Sequence, residues 1–124
     1  MIIASLKNYR ISPRKVRVVA DLIRGKSAIL AHQILLHADK KAKKPLNDLL
    51  ASAVANAKHN FKIDAESLIV KEIRVDQGYV LKRHRPVSRG SAHPIKKRTS
   101  HVSITLAPIA ETKKVVGKEK VAKK

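Results

Sequence analysis

Cysteine is missing from the 124-residue chain, which also has only two tyrosines, one phenylalanine and no tryptophan. Without cysteine the chain has no disulfide, no thiol nucleophile and no zinc finger or zinc ribbon. Tyr9, Phe61 and Tyr79 are too few flat side chains to bind single strands by base stacking. An RNA recognition motif, which stacks bases on paired aromatic residues of a sheet, is therefore not expected.

Signals of membrane insertion and of catalysis are also missing. The sequence contains no run of about 18 apolar residues, which a membrane-spanning helix would need, and Met1–Ser5 does not resemble a signal peptide. The acidic residues are scattered, no phosphate-binding loop is present, and the four glycines leave little room for one. The histidines lack cysteine or carboxylate partners at metal-ligand spacing. We expect an intracellular protein that is not an enzyme and that has no cofactor, no metal and no membrane partner.

Positive charge dominates the composition. Lysine and arginine total 28 residues against 9 acidic residues, which gives a formal net charge of +19. Self-repulsion at this charge opposes a compact state, and solubility requires much less charge on a domain of this size. A polyanion would relieve the repulsion. Nucleic acid is the favoured partner, because each phosphate that a cation neutralises releases a condensed counterion.

Three helices are predicted in the first half of the chain. Ser12 and Pro13 form a start signal for a helix over 13–24, and Gly25 suits the position after its end. Ser27 is expected to cap a second helix that runs to about residue 38. A third helix is predicted over 44–60, where the apolar residues form an almost continuous stripe. Its members are Leu46, Leu49, Leu50, Ala53, Val54 and Ala57.

The pattern then changes to the alternation typical of strands. Residues 68–75 and 101–106 alternate between apolar and polar side chains, with Ile73 and Val75 inward in the first segment. In the second segment Val102, Ile104 and Leu106 face inward, and residues 2–6 supply a third strand. These elements predict an α+β fold in which three helices pack on a small three-stranded antiparallel sheet.

The segment between the two long strands predicts an extended β-hairpin over about 77–100. It contains seven cations and, from Gln77 to Ala110, no acid. Like charges this dense repel one another unless phosphate lies between them, so we expect an arm that RNA orders rather than a floppy surface loop. Pro86, Gly90 and Pro94 are expected to break strand pairing. Residues 1–110 are predicted to be one domain and 111–124 a Lys-rich tail that is disordered or ordered only on RNA.

Two further sites are predicted from residue type. Arg10, Arg14, Lys15 and Arg17 cluster around Ser12 at the start of the first helix. Phosphate contact is favoured there over a merely solvated helix face, because a helix N-terminus also offers free amides. Gly90 is expected to adopt positive φ or to allow close approach of RNA, with a simple turn glycine as the alternative. His84, His93 and His101 are expected to bond or pack against phosphate.

Three motifs in the same order resemble a known family. The runs at 12–25 (SPRKVRVVADLIRG), 52–60 (SAVANAKHN) and 97–102 (KRTSHV) resemble the bacterial large-subunit ribosomal protein numbered twenty-two, and the resemblance covers about residues 4–107. It implies a structural constituent of the large subunit that binds 23S-type ribosomal RNA and supports assembly. It also implies neighbouring large-subunit ribosomal proteins as partners and a hairpin whose tip lines the nascent-peptide exit tunnel beside the nascent peptide.

The family resemblance places candidate sites on the sequence. The segment 81–83 (Leu-Lys-Arg) matches a Met-Lys-Arg segment of the family, whereas Ser91 stands where the family often has arginine. The predicted RNA-binding residues are Arg10, Ser12, Arg14, Lys15, Arg17, Lys82, Arg83, Arg85, Arg89, His93, Lys96, Lys97, Arg98 and Ser100. The predicted tunnel-facing tip consists of Arg85, Arg89, Gly90, Ser91 and Ala92.

The resemblance further implies a cytoplasmic ribosome, with an organellar ribosome as the alternative, and no homo-oligomer. The competing hypothesis is a free-standing basic DNA- or RNA-binding module, such as a chromatin protein or an RNA chaperone. Such a module is expected to read base edges from a helix with asparagine, glutamine or arginine. The acid-free hairpin favours the ribosomal hypothesis over this one.

Overall fold

The structure, a computed structural model, describes residues 1–109. These residues form three α-helices and one three-stranded antiparallel sheet, which confirms the predicted α+β fold. The elements are β1 (Ile2–Tyr9), α1 (Pro13–Ile23), α2 (Ala28–His37), α3 (Lys43–Phe61), β2 (Leu68–Pro86) and β3 (Ala92–Pro108). Short 3-10 turns occupy Ala65–Ser67 and Ser88–Gly90. The Lys-rich tail and the boundary predicted near residue 110 lie outside the described residues.

The helix boundaries follow from local backbone chemistry. Ser12 is the N-cap of α1 and Pro13 its first residue, where the missing N–H of proline costs no helical hydrogen bond. Gly25 follows the C-cap with φ +73°, in the left-handed region that favours glycine. The Ser27 hydroxyl accepts a hydrogen bond from the backbone N–H of Leu30 and so caps α2.

The core lies between the helices and one face of the sheet. Val70, Ile73 and Val75 of β2 are buried, and so are the predicted inward residues Val102, Ile104 and Leu106 of β3. The helices contribute a larger set of buried apolar side chains. It includes Val16, Val19, Ala20, Ile23, Ala31, Leu35, Leu46, Leu50, Ala53 and Ala57. Burial of this set is the main favourable term in folding.

Strand order explains where the hairpin leaves the body. The order in the sheet is β1-β3-β2, so β3 is central. The last pair between β1 and β3 is Tyr9 with Ser100, whereas β2 and β3 remain paired from Val80–Arg98 out to Pro86–Ala92. We call this two-stranded part, residues 80–98, the arm. Each of its strands extends about 20 Å at roughly 3.3 Å per residue.

The expectation that prolines interrupt the hairpin was wrong. Pro94 pairs with His84, and Pro86 pairs with Ala92 as the last pair before the turn. In a two-stranded ribbon each strand has a free edge, and a proline is tolerated where its missing N–H would have pointed to that edge. The turn at 87–91 instead owes its shape to Arg89 and Gly90, with φ values of 58° and 71°. The strands are accordingly longer than predicted.

Candidate nucleic-acid interface

Three separated parts of the chain line one groove of about 990 Å³ at the junction of body and arm. The first is the connection from β1 into α1, with Arg10, Ile11 and Ser12, together with Lys15 and Val18 of α1. The second is the α2–α3 connection at 39–42, and the third is the arm root at Leu81 and 96–99. The fold therefore brings part of each predicted cation cluster to one surface.

The groove is strongly cationic. Of the described residues that line it, seven are lysines or arginines and one, Asp39, is acidic. The cations are Arg10, Lys15, Lys40, Lys41, Lys96, Lys97 and Arg98. Such a one-sided concentration of charge in a concave site focuses the field and attracts a polyanion. The apolar side chains Ile11, Val18 and Leu81 lie among the cations.

The start of α1 adds a backbone contribution. Ser12 lines the groove, and within the described residues its hydroxyl makes no capping hydrogen bond. The first N–H groups of an α-helix have no partner inside the helix and carry partial positive charge. Pro13 has no N–H, and the N–H groups of Lys15 and Val16 donate to the Ser12 carbonyl. The helix start therefore offers a phosphate its partial positive charge and the Ser12 hydroxyl.

Lys40 and Lys41 were missed as site residues by sequence reasoning. The Lys-rich composition of 39–44 was visible, but nothing in a linear pattern indicated that this connection would fold beside the start of α1. Tyr9 helps to hold it there, because its hydroxyl donates to the Lys41 carbonyl at 3.5 Å. Burial raises the pKa of the Tyr9 phenol above its ordinary value, so the neutral donor form is favoured.

Arg17 does not line the groove, contrary to its grouping with Arg10 and Lys15. Its Nε and Nη2 both donate to the Val75 carbonyl of β2, at 3.2 and 2.9 Å. The Nη2 of Arg24 donates to the Ile73 carbonyl at 3.3 Å. β2 is an edge strand, so these carbonyls have no strand partner on that side. Arg17 and Arg24 therefore supply hydrogen-bond donors to carbonyls of the sheet edge and attach α1 to it.

Ser100 is the clearest departure from the predicted sites. It is fully buried, and within residues 1–109 its Oγ has no hydrogen-bond partner. Its side chain is thus not at the surface where RNA would lie. His101 is half-buried, and its Nδ1 accepts a hydrogen bond from the Asn8 backbone N–H at 3.0 Å. Both residues belong to the junction of the three strands.

The remaining predicted side chains are exposed, and those of the arm extend the cationic surface away from the groove. Arg14 is exposed on α1 outside the groove. Exposed along the arm are Lys82, Arg83, Arg85, Arg89 and His93. The tip residues Gly90, Ser91 and Ala92 are also exposed. A Cβ at Gly90 would meet no atom within 4 Å, so its positive φ rather than crowding within the described protein favours glycine there.

In the range 1–109 no three histidine, aspartate or glutamate residues are placed to hold a metal ion together. No helix in this range is long and apolar enough to cross a membrane.

Comparison with known proteins gives a consistent result. The family described as ribosomal protein L22p/L17e matches residues 4–107. The large ribosomal subunit protein uL22 of Desulfitobacterium hafniense (strain Y51) is 54% identical over 103 residues, which cover 83% of this chain and 90% of that protein. The uL22 proteins of Oceanobacillus iheyensis and Rubrobacter xylanophilus are 48% and 52% identical, again over 103 residues, and 91% and 81% of their lengths are covered.

Proposed function

The chain belongs to the ribosomal protein L22p/L17e family, and from this membership we propose that it is a structural component of the large ribosomal subunit that binds ribosomal RNA through its groove and arm. The family is one of ribosomal structural proteins, not of enzymes. Family membership favours this function over a free-standing nucleic-acid-binding module.

The observation that carries the proposal is the composition of the groove. Seven cations from three parts of the chain face one space with a single acid among the described lining residues. Isolated, they would repel one another, and a partner with closely spaced negative charges relieves that repulsion. The phosphates of an RNA backbone match this requirement, and their binding releases counterions. Ribosomal RNA of the 23S type is the expected ligand.

The arm has a second proposed role. It is a two-stranded ribbon whose residues 82–86 and 88–94 are all exposed, so the body does not cover it. A two-stranded ribbon gains little stability from packing, and contact with RNA on both sides would add to that stability. We assign Arg85 and 89–92 to the tip that lines the nascent-peptide exit tunnel. By contacting separate RNA segments, the arm would also support assembly of the subunit. Neighbouring large-subunit ribosomal proteins are the expected protein partners.

A charge-matched pair of variants tests RNA binding by the groove. We expect the triple substitution Lys96→Gln, Lys97→Gln and Arg98→Gln to weaken binding to protein-free large-subunit ribosomal RNA. The slope of log affinity against log salt is negative, and its magnitude should decrease by about 3, or about one for each lost phosphate contact. Binding is measured by filter retention over a salt series.

The control removes the same charge elsewhere. Lys58, Lys62 and Lys71 are exposed and do not line the groove. Their replacement by glutamine should leave most of the salt slope in place. Equal losses in both triple variants would mean that net charge alone, and not the groove, determines binding.

A further inference from the structure

The strands are irregular where the arm leaves the body. The register of β1 against β3 shifts between Leu6 and Tyr9, and that of β2 against β3 shifts between Gln77 and Val80. Both irregularities face the same stretch of the central strand, Thr99–His101. A bulge bends its strand and increases the local twist. The direction of the arm is therefore set at this point, which we call the joint (Asn8, Gly78, Tyr79 and 99–101).

On the β2 side the joint is closely packed. A Cβ at residue 78 would overlap the Thr99 Oγ1 and lie 3.2 Å from the His101 Nε2, so only glycine allows the two strands to approach this closely. Thr99 is fully buried, and its Oγ1 donates to the Tyr79 carbonyl at 2.7 Å. This hydrogen bond gives the bulged residue a partner where the regular ladder is interrupted.

On the β1 side a side chain replaces a ladder contact. Asn8 has φ 57°, a conformation that asparagine tolerates better than most residues. Its backbone N–H donates to the His101 Nδ1. Since His101 also lies against Gly78, one ring contacts both irregular strands. Arg17 holds β2 from the other edge at Val75, shortly before the bulge.

We propose that Gly78, Thr99 and His101 are positioning residues that hold the arm in one direction relative to the body before RNA binds. Thr99 lines the groove, and the arm cations at 96–98, which also line it, come directly before Thr99 in β3. A change of angle at the joint would move these arm cations away from Arg10, Lys15 and the 39–42 connection. The joint thus sets the width of the groove, and this consequence rests on the proposed function.

The arm direction is measured on the full chain without RNA. Because the chain has no cysteine, spin labels attach only at introduced ones, at Ser52→Cys on α3 and Ser91→Cys at the tip, both exposed positions. Electron–electron double resonance should give one narrow distance distribution. Thr99→Val, which keeps the shape but removes Oγ1, and Gly78→Ala should shift or broaden it. Thr99→Ser, which keeps the hydroxyl, should leave the distance distribution as narrow as in the unsubstituted protein.

The outcomes separate the joint from the RNA site. Circular dichroism shows which variants are folded. Thr99→Val perturbs the packing less than Gly78→Ala, so it tests the proposal even if Gly78→Ala does not fold. A broad distribution in the unsubstituted protein, or an unchanged one in folded Thr99→Val, would overturn the proposal. If the distribution broadens, binding to protein-free large-subunit ribosomal RNA should weaken at least tenfold although no cation is lost. A broadened distribution with unchanged RNA affinity would keep the joint but contradict the groove as the RNA site.

Discussion

Arginine serves two different purposes around α1. Arg10 lines the groove at the entry to the helix, whereas Arg17 donates twice to the Val75 carbonyl at the edge of the sheet. The two residues lie seven positions apart in one basic cluster, and their residue type is the same. What separates them is their place in the fold, because Arg10 lies in the connection before α1, whereas Arg17 lies on the face of α1 that meets the edge strand. Charge in a sequence therefore locates a site only to within a helix turn or two.

Ser100 gives a test at the residue scale. A buried hydroxyl without a partner costs roughly 1–3 kcal/mol of desolvation, so Ser100→Ala should leave the free energy of unfolding equal to or up to about 1 kcal/mol above that of the unsubstituted protein. The affinity for large-subunit ribosomal RNA should not change. Urea denaturation and filter binding measure the two quantities. A clear loss of RNA affinity with intact stability would reinstate Ser100 as an RNA contact.

At the scale of elements, the sequence predicts the body and the presence of the extended hairpin, but not the length of the hairpin's strands. The three helices and the inward sets of β2 and β3 follow from apolar periodicity and from start signals such as Ser12-Pro13 and Gly25. The arm has no buried face, so its strands carry no alternation by which to set their length. The bulge at Gly78 was missed for a related reason, since only its contact with Thr99 and His101 reveals why glycine is needed.

The arm is separable from the body in energetic terms. Apart from Thr99 at its root, the buried core consists of residues up to Val75 and from Val102 onward, together with Ser100. We expect a chain in which Leu81–Lys97 is replaced by Asn-Gly, a two-residue loop suited to close the Val80–Arg98 pair, to remain folded with a melting temperature within a few degrees. It should bind ribosomal RNA more weakly. A variant that fails to fold would show that the arm contributes to the core, contrary to this account.

At the scale of the whole molecule, charge and fold act together. The net charge of +19 predicted a polyanionic partner, but composition could not tell where the charges meet. The topology shows where they meet, because the central strand β3 brings 96–98 beside the start of α1 and the α2–α3 connection. Lys40 and Lys41 join the site for this reason alone. The family match over 4–107 covers all three parts of the groove.

The most direct test of the central claim is cryo-electron microscopy of large ribosomal subunits from the cells that produce this protein. Density for the chain should show RNA backbone in the groove between Arg10, Lys41 and Lys97, with the tip at 89–92 at the wall of the exit tunnel. Subunits in which the chain is present but the groove faces solvent would contradict the RNA site. Subunits fully occupied by other proteins, with no density that fits this chain, would contradict the ribosomal function itself.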